Sequence, residues 1–283
     1  MAVSKEDITR KMQELFRTTP GNVVTAEEAL PGCEGLVMYD APLIGFASAD
    51  DPLFETYKDP SVNGDAFLTP KEWMGETRTV VSFFLPFTED VRKANRQKRN
   101  GTAPEWLHAR IEGQRFLMAY CYAVQEWLEA QGVKVCIPSG DERFRRAFKP
   151  FTEGEPSRLG LHVTSAWSER HAAYAAGLGT FSLTRAIITE KGTAGRFGSL
   201  LLSAEVPADE RPYTGIDDYC IRCGVCVERC PFHAISLERG KDQMLCMARV
   251  VPSRFVYKPR YGCGKCQVGV PCEARNPSKI EKP

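Results

Sequence analysis

Apolar residues recur at helical spacing in three stretches of the chain. The first follows Ser4, a favoured N-cap residue, and its apolar face is formed by Ile8, Met12, Leu15 and Phe16. A second, longer helix is predicted to begin at Pro104 and end at Gly132, since proline favours the first turn of a helix and glycine favours its end. A third helix fits residues 168–176. The pattern therefore predicts three amphipathic helices.

Short runs of branched and aromatic residues predict strands at 43–47, 79–87, 133–137, 185–189 and 197–206. The last two flank the glycine-containing turn 192–195, which predicts a hairpin. Residues 207–218 are polar and contain two prolines, so we interpret them as a linker. We therefore expect an α+β protein with a mixed α/β domain at 1–206 and a small cysteine-rich domain at 207–283.

Charge and hydropathy exclude several classes of function. Lys and Arg number 37 and Asp and Glu number 36, so the formal net charge is +1. This balance gives no global reason to expect nucleic acid or an anionic membrane as a partner. No stretch approaches the ~18 consecutive apolar residues of a membrane span. Residues 1–17 mix charges throughout and contain no apolar signal segment, so we expect a cytoplasmic protein without a membrane partner.

The cysteines indicate the chemistry. Eight of the 11 lie between Cys220 and Cys272, too crowded for a disulfide framework spread over a fold. The stretch from Cys220 through Cys223 and Cys226 to Cys230-Pro231 has the spacing C-x2-C-x2-C-x3-C-P. Three cysteines at this interval can bind three corners of one [4Fe–4S] cubane, and the fourth points to another cluster. Zinc is the less favoured alternative, because it prefers cysteine pairs separated by a longer arm.

The remaining four cysteines of this region complete the eight thiolates that two [4Fe–4S] clusters need. By the crossover of two-cluster ferredoxins, one cluster takes Cys220, Cys223, Cys226 and Cys272. The other takes Cys230, Cys246, Cys263 and Cys266. A zinc site beside a single cluster is the alternative for the second group. Outside this region, we expect Cys121 and Cys136 to be small core residues and Cys33 to be a free surface thiol on a loop.

Three features together resemble a known family. They are the helix motif from Ser168 to Gly179, a glycine-bounded hairpin through Gly198, and the cysteine spacings. They resemble the epoxyqueuosine reductase family, which is similar to the catalytic cores of reductive dehalogenases. The resemblance implies a nitroreductase-like α/β domain followed by a ferredoxin-like domain. It also implies cobalamin in a cleft near one of two [4Fe–4S] clusters, which pass electrons to cobalt. An external donor of ferredoxin or flavodoxin type would supply these electrons.

Two positions depart from the family pattern. Epoxyqueuosine reductases carry an acid that would protonate the opening epoxide, and Val163 occupies that place here. The lysine of the family's G-W-x-G-K motif is absent from the matching stretch 179–183. We therefore expect a relative with another substrate, a small molecule of unknown identity. A tRNA epoxyqueuosine reductase and a non-enzymatic protein that feeds electrons to a partner enzyme are the alternatives.

Candidate site residues follow from the same helix and hairpin. His171 and Tyr174 lie three apart on one helix face and are candidate proton donors, although ordinary packing would also explain them. The candidate cofactor-binding residues are Glu169, Arg170, Gly177, Leu178, Gly179, Arg196 and Gly198. An internal ion pair and a tight turn are the plainer interpretations of these. Two basic runs, 92–99 and 143–149, could receive RNA phosphates, but solvated surfaces are the favoured interpretation.

Overall fold

A four-stranded antiparallel sheet forms the centre of the first two thirds of the chain, in a computed structural model that describes residues 3–150 and 161–279. Its strand order is β1-β2-β8-β3, and the strands are β1 (Leu43–Ser48), β2 (Thr79–Pro86), β3 (Val135–Cys136) and β8 (Gly195–Leu202). Every residue of β2 is buried, as expected for a strand covered on both faces. The predicted strands at 43–47 and 79–87 are confirmed, whereas the one at 133–137 is shorter than predicted.

Helices cover both faces of this sheet. The predicted first helix is confirmed as α1 (Lys5–Thr18), and the Ser4 side chain accepts a hydrogen bond from the backbone of Asp7 at its start. The long helix is confirmed as α5 (Pro104–Ala130), and Phe116 and Tyr120 pack from it into the main core. On the other face lie the short helices α2 (Leu53–Thr56), α3 (Pro70–Trp73) and α6 (Glu169–Ala175). The helix α4 (Glu89–Gln97) follows β2.

The predicted hairpin between 185–189 and 197–206 is wrong. Strand β7 (Ile187–Thr189) pairs with β6 (Gly179–Phe181), while β8 pairs with β2 and β3. An isolated antiparallel bridge joins Thr189 to Gly192 in the turn after β7, and the chain then enters the central sheet as β8. Alternating hydrophobicity identifies strands but does not identify their partners, which explains the error.

A second antiparallel pair consists of β4 (Arg146–Pro150) and β5 (Leu161–Ser165). Val163 lies in β5 opposite Phe148. Sequence reasoning did not anticipate this pair. Part of the second basic run lies in β4, and Arg143 of the same run forms an ion pair with Asp141 and stacks over the Trp73 ring.

The cysteine-rich segment contains short elements only: α7 (Val225–Glu228), β9 (Ile235–Ser236), β10 (Gly240–Lys241), α8 (Gln243–Val250) and α9 (Ser253–Tyr257). The predicted linker before it lies against the first part of the chain. Asp209 binds Lys5 and the backbone of Phe46, and the Tyr213 hydroxyl donates to the Tyr174 carbonyl at 2.7 Å. Among the helices of the described ranges, none is long and apolar enough to cross a bilayer.

Polar contacts fasten the cysteine-rich segment to the first part. Arg260 forms a buried ion pair with Glu112 of α5, with its Nη2 2.9 Å from Oε1. Glu273 pairs with Arg96 of α4 at 2.6 Å, so part of the first basic run forms internal contacts. Cys33 is 1% exposed, so the expectation of a surface thiol is wrong. Burial raises the pKa of its thiol to about 11, with a contribution from Glu105. Cys121 is buried in the main core, as predicted.

Candidate metal centre and adjacent cleft

The first group of predicted ligands surrounds one cavity. The thiols of Cys220, Cys223, Cys226 and Cys272 line it together with apolar residues such as Leu183. The cavity has an empty volume of about 340 Å³, including its opening to solvent. Desolvation raises the pKa values of Cys226 and Cys272 to about 12, and the neighbouring thiols add to the effect. Four sulfurs that repel one another as thiolates need cations between them, and iron would supply these.

The second predicted group is also brought together. Burial raises the pKa of Cys266 to about 11, and Cys263, Cys246 and Cys230 raise it further through their charges. Cys263 is likewise influenced by Cys246 and Cys230. The sulfur of Cys230 accepts a hydrogen bond from the backbone of Ala234 at 3.3 Å. Burial also raises the pKa of Cys226 and the charge of Cys266 raises it further, so the two predicted groups adjoin each other.

The described residues contain no set of three or more Cys, His, Asp or Glu side chains close enough to hold a single metal ion. This spacing is compatible with a cubane, because each thiolate binds its own iron at a separate corner.

A buried lysine anchors the second group. Lys265, between Cys263 and Cys266, is 7% exposed, and its ammonium donates to the carbonyls of Asn95 and Lys98, at 2.7 Å each. The Asn95 side chain donates in turn to the carbonyl of Cys263 at 2.9 Å. These bonds fix the C-x2-C loop against α4. Sequence reasoning missed both residues, because the contacts join positions about 170 apart.

We call the region beside the unpaired edge of β8 the candidate cleft. Strand β3 pairs only with Leu201 and Leu202 of β8, so in the described ranges the edge of β8 from Gly195 to Leu200 lacks a neighbouring strand. Helices α5 and α6 flank this edge. Glu169, Arg170 and His171 keep some accessible surface, although desolvation is the main influence on the pKa of each. Partial access combined with strong desolvation is typical of residues at the bottom of a recess.

His171 is held as a neutral imidazole. Burial and the charge of Arg170 lower its pKa to about 3. Its Nδ1 lies 2.7 Å from the Ser168 hydroxyl and 3.2 Å from the amide nitrogen of Asn63, which can only donate. The ring proton therefore lies on Nε2, and the imidazole can donate a hydrogen bond there. At neutral pH it is not a charged acid.

Tyr174 joins the cleft to the first cysteine group. Its ring lies 6.1 Å from Phe181 and 5.1 Å from Tyr213, and Tyr213 lies 5.5 Å from Tyr219. Cys220 and Cys272 pack against the same cluster. Burial raises the pKa of Tyr174, so its hydroxyl keeps its proton at neutral pH. A continuous aromatic cluster that includes Tyr174 therefore connects His171 with the first group of thiols.

Glu169 has an environment suited to proton exchange. Its Oε2 accepts from the Ser199 hydroxyl at 2.6 Å, and Ser199 accepts from the Trp167 indole at 2.9 Å. Its Oε1 is buried without a hydrogen-bond partner. Burial is the main cause that raises its pKa to about 7, against the opposing effect of Ser199. The carboxyl therefore exchanges its proton closer to neutral pH than an ordinary glutamate does.

Packing accounts for the predicted glycines. A Cβ on Gly198 would lie 2.4 Å from the Phe83 ring, and one on Gly179 would lie 1.9 Å from the Ile188 carbonyl. Gly177 ends α6 with a φ of +75°, and Leu178 is buried in the aromatic cluster. Close backbone packing therefore requires these glycines whether or not a cofactor is present. Arg196 does reach the cleft, where its guanidinium donates to the Gln114 side chain of α5.

Comparisons with known proteins agree with this arrangement. Residues 213–236 match the family model described as a 4Fe-4S binding domain. The structure of epoxyqueuosine reductase from Streptococcus thermophilus aligns with 98% of this chain and 68% of its own, at 16% identity and a TM-score of 0.50. The Bacillus subtilis enzyme aligns with 94% of this chain and 66% of its own, also at 16% identity and 0.50. The chain has the fold of epoxyqueuosine reductases. The resemblance inferred from sequence is thereby confirmed.

Reductive dehalogenases share this fold. The catabolic reductive dehalogenase NpRdhA aligns with 96% of this chain and 36% of its own, at 14% identity and a TM-score of 0.52. The chain thus spans about two thirds of the epoxyqueuosine reductases and about a third of the dehalogenase. No curated protein sequence matches the chain. The molecule is therefore an iron–sulfur protein of mixed helix and sheet structure with a reductase fold.

Proposed function

We propose that the protein is an iron–sulfur reductase that relays electrons through two [4Fe–4S] clusters to a corrinoid, cobalamin, held in the cleft beside β8. The observation that carries this proposal is the pair of four-thiol groups, one of which packs against the aromatic cluster around Tyr174. One cluster would use Cys220, Cys223, Cys226 and Cys272, and the other Cys230, Cys246, Cys263 and Cys266. Electrons would leave the first cluster across the Tyr213 and Tyr174 rings.

The residues at the cleft suit a corrinoid. A corrinoid carries amide side chains and a phosphodiester, and Arg170, Arg196 and the Nε2–H of His171 are hydrogen-bond donors for such groups. When bound, reduced cobalt supplies a strong nucleophile and one-electron donor. In this assignment Glu169, Arg170 and Arg196 bind and orient the bound molecule. Tyr174 is the proton donor, and neutral His171 acts as a hydrogen-bond donor.

The architecture of the proposal follows the family. Residues 1–206 would form a nitroreductase-like domain for cofactor and substrate, and residues 207–283 a ferredoxin-like domain. The electron donor would be a small ferredoxin or flavodoxin. We propose a cytoplasmic location, since thiolate clusters need a reducing compartment.

A tRNA epoxyqueuosine reductase is the second candidate, and the shared fold favours it. The half-buried Val163 speaks against it, because no acid stands where the family has its proton donor. A purely electron-transferring protein is the third candidate, and it would have no use for a recess lined by Glu169 and Arg170.

Cobalamin titration of anaerobically purified protein tests the proposal. We expect saturable binding and a change in the cobalt absorbance when the clusters are reduced. We also expect Arg170→Gln to weaken binding by about tenfold through loss of a charged hydrogen bond. Arg10→Gln is the matched control, because Arg10 is exposed and pairs only with Asp7. Lack of binding by the cluster-loaded protein would refute the corrinoid assignment. Restored queuosine in a deletion strain would favour the tRNA reductase.

A further inference from the structure

Two arginines lie at the open edge of β8, and neither forms an ion pair among the described residues. Arg196 lies on the strand and donates to the Gln114 side chain, and Arg110 lies one helical turn before Gln114 on α5. The guanidinium of Arg110 stacks over the Tyr261 ring, with 4.5 Å from Cζ to the ring centroid. The described polar contacts of these guanidinium groups are therefore the Gln114 side chain for Arg196 and the Tyr261 side chain, by stacking and a hydrogen bond, for Arg110.

Both arginines are half-buried, and Arg110 lies close enough to Arg196 for the two charges to repel each other. Desolvation lowers the pKa of Arg110, and the charge of Arg196 lowers it further. Arg110 Nε is buried without a hydrogen-bond partner. The carboxyl of Glu169 is near Arg196, but burial raises the pKa of this carboxyl, and one carboxyl cannot neutralise both charges. Desolvation and the charges of Arg185 and Arg196 lower the pKa of Arg170, which donates to the Arg185 carbonyl at 2.6 Å and adds further positive charge.

Desolvating like charges is costly, and a bound anion would offset that cost. Guanidinium groups match the planar oxygens of carboxylates and the oxygens of phosphates. We propose that Arg110 and Arg196 form an anion-binding site that takes the phosphate or carboxylate group of a molecule bound in the cleft. This inference deepens the proposed function, since it gives the substrate of the same cleft an anionic group.

Anion binding to the full-length, cluster-loaded protein tests the site. Inorganic phosphate and benzoate are the probes, with isothermal calorimetry and the melting temperature as readouts. We expect at least one probe to bind and to raise the melting temperature of the wild type. Arg196→Gln and Arg110→Gln should each weaken binding by about tenfold to a hundredfold. Arg10→Gln, which changes an exposed guanidinium far from the cleft, should bind as the wild type does.

Stability without an anion separates a binding site from a structural role. If repulsion dominates, Arg110→Gln melts no lower than the wild type in anion-free buffer, yet gains less stability from phosphate or benzoate. If Arg110 had only a structural role, the variant would melt at a lower temperature than the wild type and would still be stabilised by the anion. Retained affinity in both variants would overturn the proposal. Lack of binding to the wild type up to about 10 mM would also overturn it.

A competition arm identifies the source of the anionic group. If saturating cobalamin abolishes phosphate or benzoate binding, the site holds the phosphodiester of the corrinoid. If the anion still binds, the site holds the substrate. Both outcomes support an anion site. The assay does not depend on corrinoid binding, so failure of the corrinoid assignment would leave the result on Arg110 and Arg196 interpretable.

Discussion

Arg260 joins the cysteine-rich segment to α5, and replacing it with methionine should destabilise the protein. Its Nε and Nη2 bind the two oxygens of Glu112 at 3.1 and 2.9 Å, and both residues are less than 10% exposed. Breaking a buried pair by removing one partner costs about 3–5 kcal/mol, because the other charge is left buried. Glu112 keeps contacts to His108 and Arg115, so we expect the lower end, about 3 kcal/mol.

Thermal unfolding of the cluster-loaded protein by circular dichroism measures this cost. A loss of about 3 kcal/mol corresponds to a fall in melting temperature of about 6–10 °C for a chain of this size. Arg115→Met is the matched control. The Arg115 side chain is 61% exposed and contacts the same Glu112 carboxylate, so its loss should cost less than about 1 kcal/mol. Equal costs for the two variants would refute the assignment of a buried ion pair.

The pH dependence gives the same prediction a second test. Burial opposes ionisation of Glu112, but His108 and Arg260 lower its pKa to about 2. A lowered carboxyl pKa contributes stability that is present above the unfolded value of about 4.3 and is lost as the pH falls towards 2. The cost of Arg260→Met should therefore be largest near pH 7. It should shrink below about pH 4, where the Glu112 of the variant becomes protonated.

Three further substitutions test other parts of the account. Lys265→Met removes a buried positive charge beside Cys263, so the midpoint potential of the adjacent cluster should become about 50–100 mV more negative in an EPR redox titration. In the wild type, the raised pKa of the Glu169 carboxyl means that stability is lost as the pH rises from about 4.3 through 7. Glu169→Gln removes this loss, so thermal melts should show the variant gaining about 2 kcal/mol over the wild type at pH 8, relative to the difference at pH 5. Gly179→Ala should cost about 3 kcal/mol or more, since its Cβ would lie 1.9 Å from the Ile188 carbonyl.

Matched controls exist for each substitution. Lys11→Met, in an i,i+3 surface pair, should leave the potential unchanged, and Glu14→Gln should leave the pH dependence unchanged. A Cβ on Gly75 would meet nothing within 4 Å, so Gly75→Ala should be nearly neutral. An unshifted potential in Lys265→Met would contradict the electrostatic role of the lysine. An unaltered pH profile in Glu169→Gln would show that its carboxyl is not desolvated.

Local signals in the sequence predicted the helices α1, α5 and α6 but not α4 or α8. Ser4 and Pro104 mark helix starts through capping chemistry that depends only on a few neighbouring residues. Pairing of strands is non-local, so the partner of Ile187–Thr189 was wrong although the strand itself was found. Burial of a loop residue is also non-local. Cys33 is covered by distant parts of the chain, with Glu105 and Arg260 near it, and no loop signal reveals this.

In the candidate site, too, local features were predicted from the sequence and non-local contacts were not. Spacing alone indicated the cysteine motif, because the loop of a cluster site is short and continuous. The anchors of the centre, Asn95 and Lys265, lie far from each other in the chain and have no motif. Arg110 was missed for a similar reason. One arginine within the long helix α5 becomes notable only after β8 brings Arg196 beside Gln114.

Anaerobic iron and acid-labile sulfide analysis tests the central claim most directly, when combined with single cysteine substitutions. We predict about eight irons and eight sulfides per chain for the wild type and for Cys136→Ala, which lies outside both thiol groups. Cys226→Ala and Cys266→Ala should each lose one cluster and retain about four irons, with different EPR spectra of the remaining cluster. A wild-type protein with four irons or fewer would contradict the two-cluster account.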